Sequence, residues 1–219
     1  MMKPDDVQPR MRNHYREEEY FSLNVRNGVI RNPLGHRIVS LPGELIEGLH
    51  RGLEDETGAA APIVLYKCGR WWGTQFIRRH GAELRQFYGM DGGELHLHFY
   101  LQVLRRVWAL YGWGALELSF GLQERGFLEI QVGSALFSET VGNIGRTADH
   151  LVAGVLASIA SDLAGRDLEC VETACRSKGD TKCAFVLGIK SRIDVATAWV
   201  KAGKTHAEIV ASIAAGELV

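Results

Sequence analysis

"RDLECVETACRSKGDTKCAFVLG", residues 166–188, decides how the rest of the chain is read. Two apolar runs flank a Gly179-Asp180 tip, the pattern of an antiparallel hairpin. The hairpin holds Cys170, Cys175 and Cys183, three of the four cysteines of the chain. Side chains alternate along a strand, so Cys170 and Glu172 point to the same side. Cys175 lies where that strand leaves the sheet. A hairpin symmetric about Gly179 sets Cys175 and Cys183 opposite each other, with Cβ atoms about 4.5–5.5 Å apart. Two thiolates so placed could share one ion at about 2.3 Å from each sulfur, with a Glu172 oxygen as third ligand at about 2.0–2.2 Å. The fourth ligand must come from outside the hairpin. The spacing is not the paired CxxC of a ribbon or finger. The competing reading makes the cysteines small buried hydrophobes and Glu172 a surface residue. Spacing alone leaves both open.

Upstream of the hairpin, "RTADHLVAGVLASIASDLAG" (146–165) is a small, apolar helix with Gly165 as its stop. Before it, "ALELSFGLQERGFLEIQVGSALFSE" (115–139) has period 2. Leu116, Leu118 and Phe120 alternate, as do Leu128, Ile130 and Val132, about a Glu124-Arg125-Gly126 turn, which makes a second hairpin. Three helical segments precede that one. The first, 41–58, has Pro42 near its start, Leu45, Leu49 and Leu53 every four residues and Gly58 at its end. The second, 61–89, spaces Gly69 and Gly73 so that another backbone can come close. The third, 92–114, carries Leu97, Tyr100, Leu101, Leu104, Trp108 and Tyr111 on one broad face. Residues 21–42 alternate around Asn27-Gly28 and read as one or two short strands. Residues 191–219 read as one or two short helices. The order gives an α+β fold with an antiparallel sheet packed against helices, not alternating βαβ. The organisation expected is an arm over 1–20, one ligand-binding domain over 21–190 and a C-terminal helical extension over 191–219.

The 219 residues carry a formal net charge of −1, which gives no electrostatic reason to expect nucleic acid as partner. No run approaches the ~20 apolar residues of a transmembrane helix. The polar "MMKPDDVQPRMRNHYREEEY" at the N-terminus lacks the apolar core of a secretory signal, so the expected location is cytoplasmic, where thiols stay reduced. Reduced, clustered cysteines then favour metal or redox chemistry over disulfides. Other motifs fail. "GKT" at 203–205 has Ala198 where a phosphate loop needs glycine, and no GxGxxG or HExxH occurs. His96 and His98, two apart, fall on different helix faces. Trp71, Trp72, Phe76, Tyr100, Trp108 and Trp113 are core residues by default, and candidates to line a pocket for a flat ligand.

Residues 149–188 resemble the closing segment of the 4-vinyl-reductase-like (4VR) ligand-binding domains. The shared pattern is a small-residue helix with Gly154, the Gly165 stop, a strand ending in Glu-x-x-Cys, then Gly-Asp and a final Cys. The resemblance implies a fold related to haem–nitric-oxide-binding domains and TRAPP subunits, and a homodimer. It implies sensing of aromatic compounds, or accessory work in bacteriochlorophyll synthesis and photosystem assembly. It also implies a structural zinc on Glu172, Cys175 and Cys183. The family's fourth ligand, a cysteine, falls on Asp149, so Asp149, the adjacent His150 and Cys170 are the candidates for that place. "CGRWWGTQF" and "YGWGALELSF" look more like the photosynthetic branch. There the ligand would be a planar hydrophobic tetrapyrrole, with His80, His96 and His98 as possible magnesium ligands, and the partner an assembling photosystem protein. Reduction of a vinyl group, which the family name suggests, needs a hydride donor, and no nucleotide or flavin motif is present. A pure assembly scaffold is the remaining alternative.

Overall fold

The computed structural model describes Tyr15 and residues 20–217. The expected arm therefore lies, apart from Tyr15 and Tyr20, outside the described residues. The chain is α+β, as its order of periods requires, with two antiparallel sheets and helices against them. It divides into two compact units.

One unit comprises residues up to Pro42 together with Arg78–Trp113. Its strands are β1 (Ser22–Asn24), β2 (Val29–Arg31) and β3 (Arg37–Ile38), paired in that order. Gly28, in the expected Asn-Gly turn, takes φ +62°, a conformation that suits glycine. The unit also holds the end of helix α2 (Ala61–Tyr88) and all of α3 (Leu97–Leu110). Val103, Leu104, Val107 and Trp108 form the fully buried face of α3. Leu97, expected on that face, is exposed because it opens the helix. His96 is the N-cap, its ring accepting from the His98 N–H, and both histidines are exposed. The unit also encloses a polar network. The Glu83 carboxylate accepts from the Tyr20 hydroxyl at 3.0 Å and from Asn32 Nδ2 at 3.0 Å. The Tyr15 hydroxyl lies 3.3 Å from His80 Nδ1. Burial pushes His80 down to about 4 and raises Glu83.

The other unit comprises Gly43–Ile77 with the chain from Gly114 onward. Helix α1 (Gly43–Thr57) buries His50, which lies 6.4 Å from Phe137 of the short helix α4 (Leu136–Val141). The four-residue leucine repeat is not its inner face: Leu45 and Leu49 are 45% and 59% exposed. The main sheet runs β4-β5-β7-β6, from β4 (Ala115–Ser119), β5 (Leu128–Gly133), β6 (Glu169–Ala174) and β7 (Cys183–Gly188). Every residue of β7 is buried, as suits a central strand covered on both faces.

The two faces have different covers. Against one lies α5 (His150–Ala164), packed on β6 and β7 and nearly apolar all round. Its far side meets α2, where glycines replace side chains. A Cβ at Gly69 would collide with the Leu151 carbonyl, and one at Gly154 with the Tyr66 carbonyl. The close approach expected at Gly69 and Gly73 is thus made, with α5 as the partner. Tyr66 bonds Glu169, and Arg70 donates to the Leu168 carbonyl at 2.8 Å, tying α2 to the start of β6. The other face is covered by α6 (Lys190–Lys201) and α7 (His206–Ala215). Phe127, Val186, Ile193, Ile209 and Ile213 form the core of that layer. A capping box of Thr205 and Glu208 starts α7.

Candidate metal centre

The last hairpin pairs Glu172 with Phe185 and Ala174 with Ala184, a register shift that leaves Thr173 as an extra residue. This bulge solves a parity problem. Glu172 and Cys175 are three residues apart, an odd number, so a regular strand would point them to opposite faces. With Thr173 inserted, both reach the face under α5. Cys175, still extended at φ −149°, ψ 135°, continues the strand line and meets Cys183 across it. The two sulfurs lie 4.0 Å apart. Thr173 turns to the opposite face, where its hydroxyl lies 2.8 Å from His206 Nδ1 at the start of α7.

Asp149, the N-cap of α5, completes the cluster. One ligand atom from each of Asp149, Glu172, Cys175 and Cys183 lies within 4.8 Å of all the others, and all four residues are buried. The backbone N–H of Asp149 donates to Glu172 Oε2 at 3.0 Å. The Ser138 N–H donates to Asp149 Oδ1 at 3.3 Å, and Cys175 Sγ faces Asp149 Oδ2 at 3.7 Å. Serine hydroxyls flank both thiols: Ser138 Oγ is 3.1 Å from Cys183 Sγ and Ser177 Oγ 2.9 Å from Cys175 Sγ. Nothing in the sequence pattern marks these serines, because α4 and the hairpin tip reach the site only through the fold.

Electrostatics make this group unusual. Burial, then the neighbouring Asp149 and Cys175, push the Glu172 carboxyl well above the usual range. Its contact with Cys183, then burial, push the Cys175 thiol up. Among the described residues no basic side chain pairs with either carboxylate. Glu172 Oε1 is buried with no hydrogen-bond partner, a costly state that calls for an explanation. A divalent cation fits: two bonds of about 2.3 Å at a tetrahedral angle would set two sulfurs about 3.8 Å apart, close to the separation found. The group is therefore one that could hold a metal ion.

The remaining candidates lie elsewhere. Cys170 is buried on the same strand face but outside the group. Its backbone N–H donates to the Tyr66 hydroxyl, and burial raises its thiol. His150 is half-buried, with its ring held low by burial, and is also outside the group. Cys68 is exposed on α2. The six aromatic residues split between the two units. Trp72 stacks on buried Phe76 at 5.3 Å while Trp71 is 68% exposed. Trp108 Nε1 donates to the Trp113 carbonyl at 3.1 Å, and Tyr100 lies 5.6 Å from His80. A shallow pocket on the small sheet, lined by Ser22, Leu23, Asn24, Asn27, Val29 and Arg31, includes none of them.

Residues 128–189, from β5 through β7, match the family model of the 4-vinyl-reductase (4VR) domain, so this part of the chain is a segment of that domain, the family that residues 149–188 resembled. The whole-chain likeness is to a phenol-responsive sensory domain of the transcription activator PoxR, solved with phenol. It covers 86% of this chain and 91% of that one at 13% identity, with a TM-score of 0.61. At that identity the likeness is one of fold. Two further solved structures are similar. Subunit 3 of a trafficking protein particle complex from Naegleria fowleri, bound covalently to palmitic acid, is 17% identical (68% of this chain, 95% of that one, TM-score 0.49). A vinyl-4-reductase family protein from Methanocaldococcus jannaschii is 15% identical (85% and 95%, TM-score 0.45). No curated protein matches the chain. No helix among the described residues is long and apolar enough to cross a membrane.

Proposed function

We propose that this chain is a non-catalytic, cytoplasmic ligand-binding accessory protein whose closing hairpin is clasped by a structural zinc. The observation that carries the clasp is the convergence of four buried acidic side chains with one carboxylate oxygen left without a partner. When bound, zinc supplies the divalent charge that Asp149, Glu172, Cys175 and Cys183 lack around them. A site filled by four protein ligands has no open position for chemistry, which sets the zinc in a structural role. Removing either thiol costs the ion: elemental analysis is expected to find about one zinc per wild-type chain and a clear loss in Cys183→Ser. Equal zinc in both would sink the clasp.

The ligand we assign is a hydrophobic planar molecule, a tetrapyrrole such as a chlorophyll precursor, handed on to an enzyme or an assembling photosystem by a homodimer of this chain. Support comes from the family of the hairpin segment, from a fold shared with a domain solved holding a flat aromatic compound, and from the aromatic content of α2 and α3. Adding a chlorophyllide while following its absorbance and the tryptophan fluorescence tests this directly. Saturable quenching at micromolar ligand is the expected result, and none would refute the ligand. Turnover of a divinyl substrate with a nicotinamide cofactor would replace this reading with that of a reductase.

A further inference from the structure

In a set of four acidic ligands, which atoms face the ion decides what ion the set prefers. Each carboxylate here has one oxygen already committed to the backbone. Asp149 Oδ1 accepts from the Ser138 N–H at 3.3 Å, and Glu172 Oε2 accepts from the Asp149 N–H at 3.0 Å. Each has its other oxygen turned inward. Asp149 Oδ2 is the one facing Cys175 Sγ at 3.7 Å, and Glu172 Oε1 is buried with no partner. The two thiols supply the rest, 4.0 Å apart. Asp149 cannot easily withdraw, because it is 0% exposed and its own backbone starts α5. The rival sulfur, Cys170, has its strand position fixed by the Tyr66 hydroxyl and falls outside the group.

Resting on the clasp reading, we infer that the ion is held by two sulfurs and two single carboxylate oxygens, with Asp149 Oδ2 as fourth ligand. This makes the site a mixed-donor one for a borderline divalent ion. Soft thiolates select Cu(I) and zinc, whereas carboxylates suit harder ions. Two of each discriminate against Cu(I) and admit Zn(II), Co(II) and Fe(II). The backbone N–H bonds act as the outer supports that hold each oxygen in place.

Cobalt(II) titration of the full-length chain tests the assignment, because sulfur-to-cobalt charge-transfer absorbance scales with the number of bound thiolates. With two thiolates in the wild type, Asp149→Cys is expected to raise the absorbance per cobalt roughly 1.5-fold, and Cys175→Ser to lower it roughly twofold. Cys170→Ser and His150→Ala leave it unchanged. Both are read on an otherwise intact site, so the test survives if Asp149→Cys fails to fold. A drop of about one third in Cys170→Ser would show three thiolates in the wild type and overturn the donor set, as would an unchanged spectrum in a folded Asp149→Cys. Failure of the wild type to bind stoichiometric cobalt or zinc would instead overturn the clasp itself, an outcome distinct from either.

Discussion

Replacing Gly154 by alanine is the sharpest test of the α2–α5 contact. In an ordinary helix interior the change stabilises by about 1 kcal/mol, because glycine is the more costly helical residue. At Gly154 the added Cβ would collide with the Tyr66 carbonyl and lie 2.8 Å from the Arg70 backbone N and 3.0 Å from the Gly69 Cα. All three are backbone atoms of α2, so no side chain can swing aside. The helices must part, and overpacking of this kind costs about 3 kcal/mol or more. Against the propensity gain, the net loss is about 2 kcal/mol. With a urea m-value of about 2 kcal/mol/M, the midpoint should fall by about 1 M. Gly48→Ala is the control: it lies within α1 with nothing within 4 Å of its added Cβ, and should gain up to about 1 kcal/mol. Urea unfolding followed by tryptophan fluorescence and by circular dichroism reads both variants. If Gly154→Ala matches or exceeds wild type while Gly48→Ala behaves as stated, the close backbone contact is wrong.

Three further outcomes are expected. His80 is buried and its folded value of about 4 lies below the ordinary 6.5, so the unfolded chain binds its proton first. Its stabilising contribution is full above about pH 6.5 and is lost as pH falls to about 4, up to about 3 kcal/mol. Glu83, raised by burial, works in the opposite sense, so the effect is read as a stability difference between wild type and His80→Phe. Parallel pH profiles would refute it. Ile209→Ala should destabilise by about 2–5 kcal/mol in denaturant melts, because the side chain is fully buried between α7 and the sheet. Thr205→Ala removes a capping box and should cost about 1 kcal/mol, seen as faster hydrogen exchange in the first turn of α7.

Much of this fold was legible because its periods are clean. Leu128, Ile130 and Val132 alternate into β5, the small residues after Asp149 make α5, and Gly69 and Gly73 leave room for it. The opposition of Cys175 and Cys183 followed from turn symmetry about Gly179. What was not legible depends on tertiary placement. The leucines of α1 repeat as an inner face would, yet Leu45 and Leu49 face outward, because periodicity gives a stripe and not its partner. The bulge at Thr173 leaves no local signature. Its only trace is the odd Glu-x-x-Cys spacing, which makes sense for a shared face once one extra residue is allowed. The network of Tyr15, Tyr20, Asn32, His80 and Glu83 joins positions up to 65 residues apart and could not be assembled from local pattern.

That extra residue gives β6 something like a reading frame. Deleting Thr173 would restore an unbroken ladder with β7, and by backbone criteria the strand would be more regular. It would also exchange the faces of everything on one side of the cut. If Cys170 and Glu172 kept their places, the Cys175 side chain would turn toward α6 and α7 while Cys183 stayed under α5. No substitution is involved, and every ligand residue would still be present. A shortened relative could thus keep the motif's letters and lose its meaning. Counting residues between Glu172 and Cys175 is therefore a stricter test for such a clasp than finding them both.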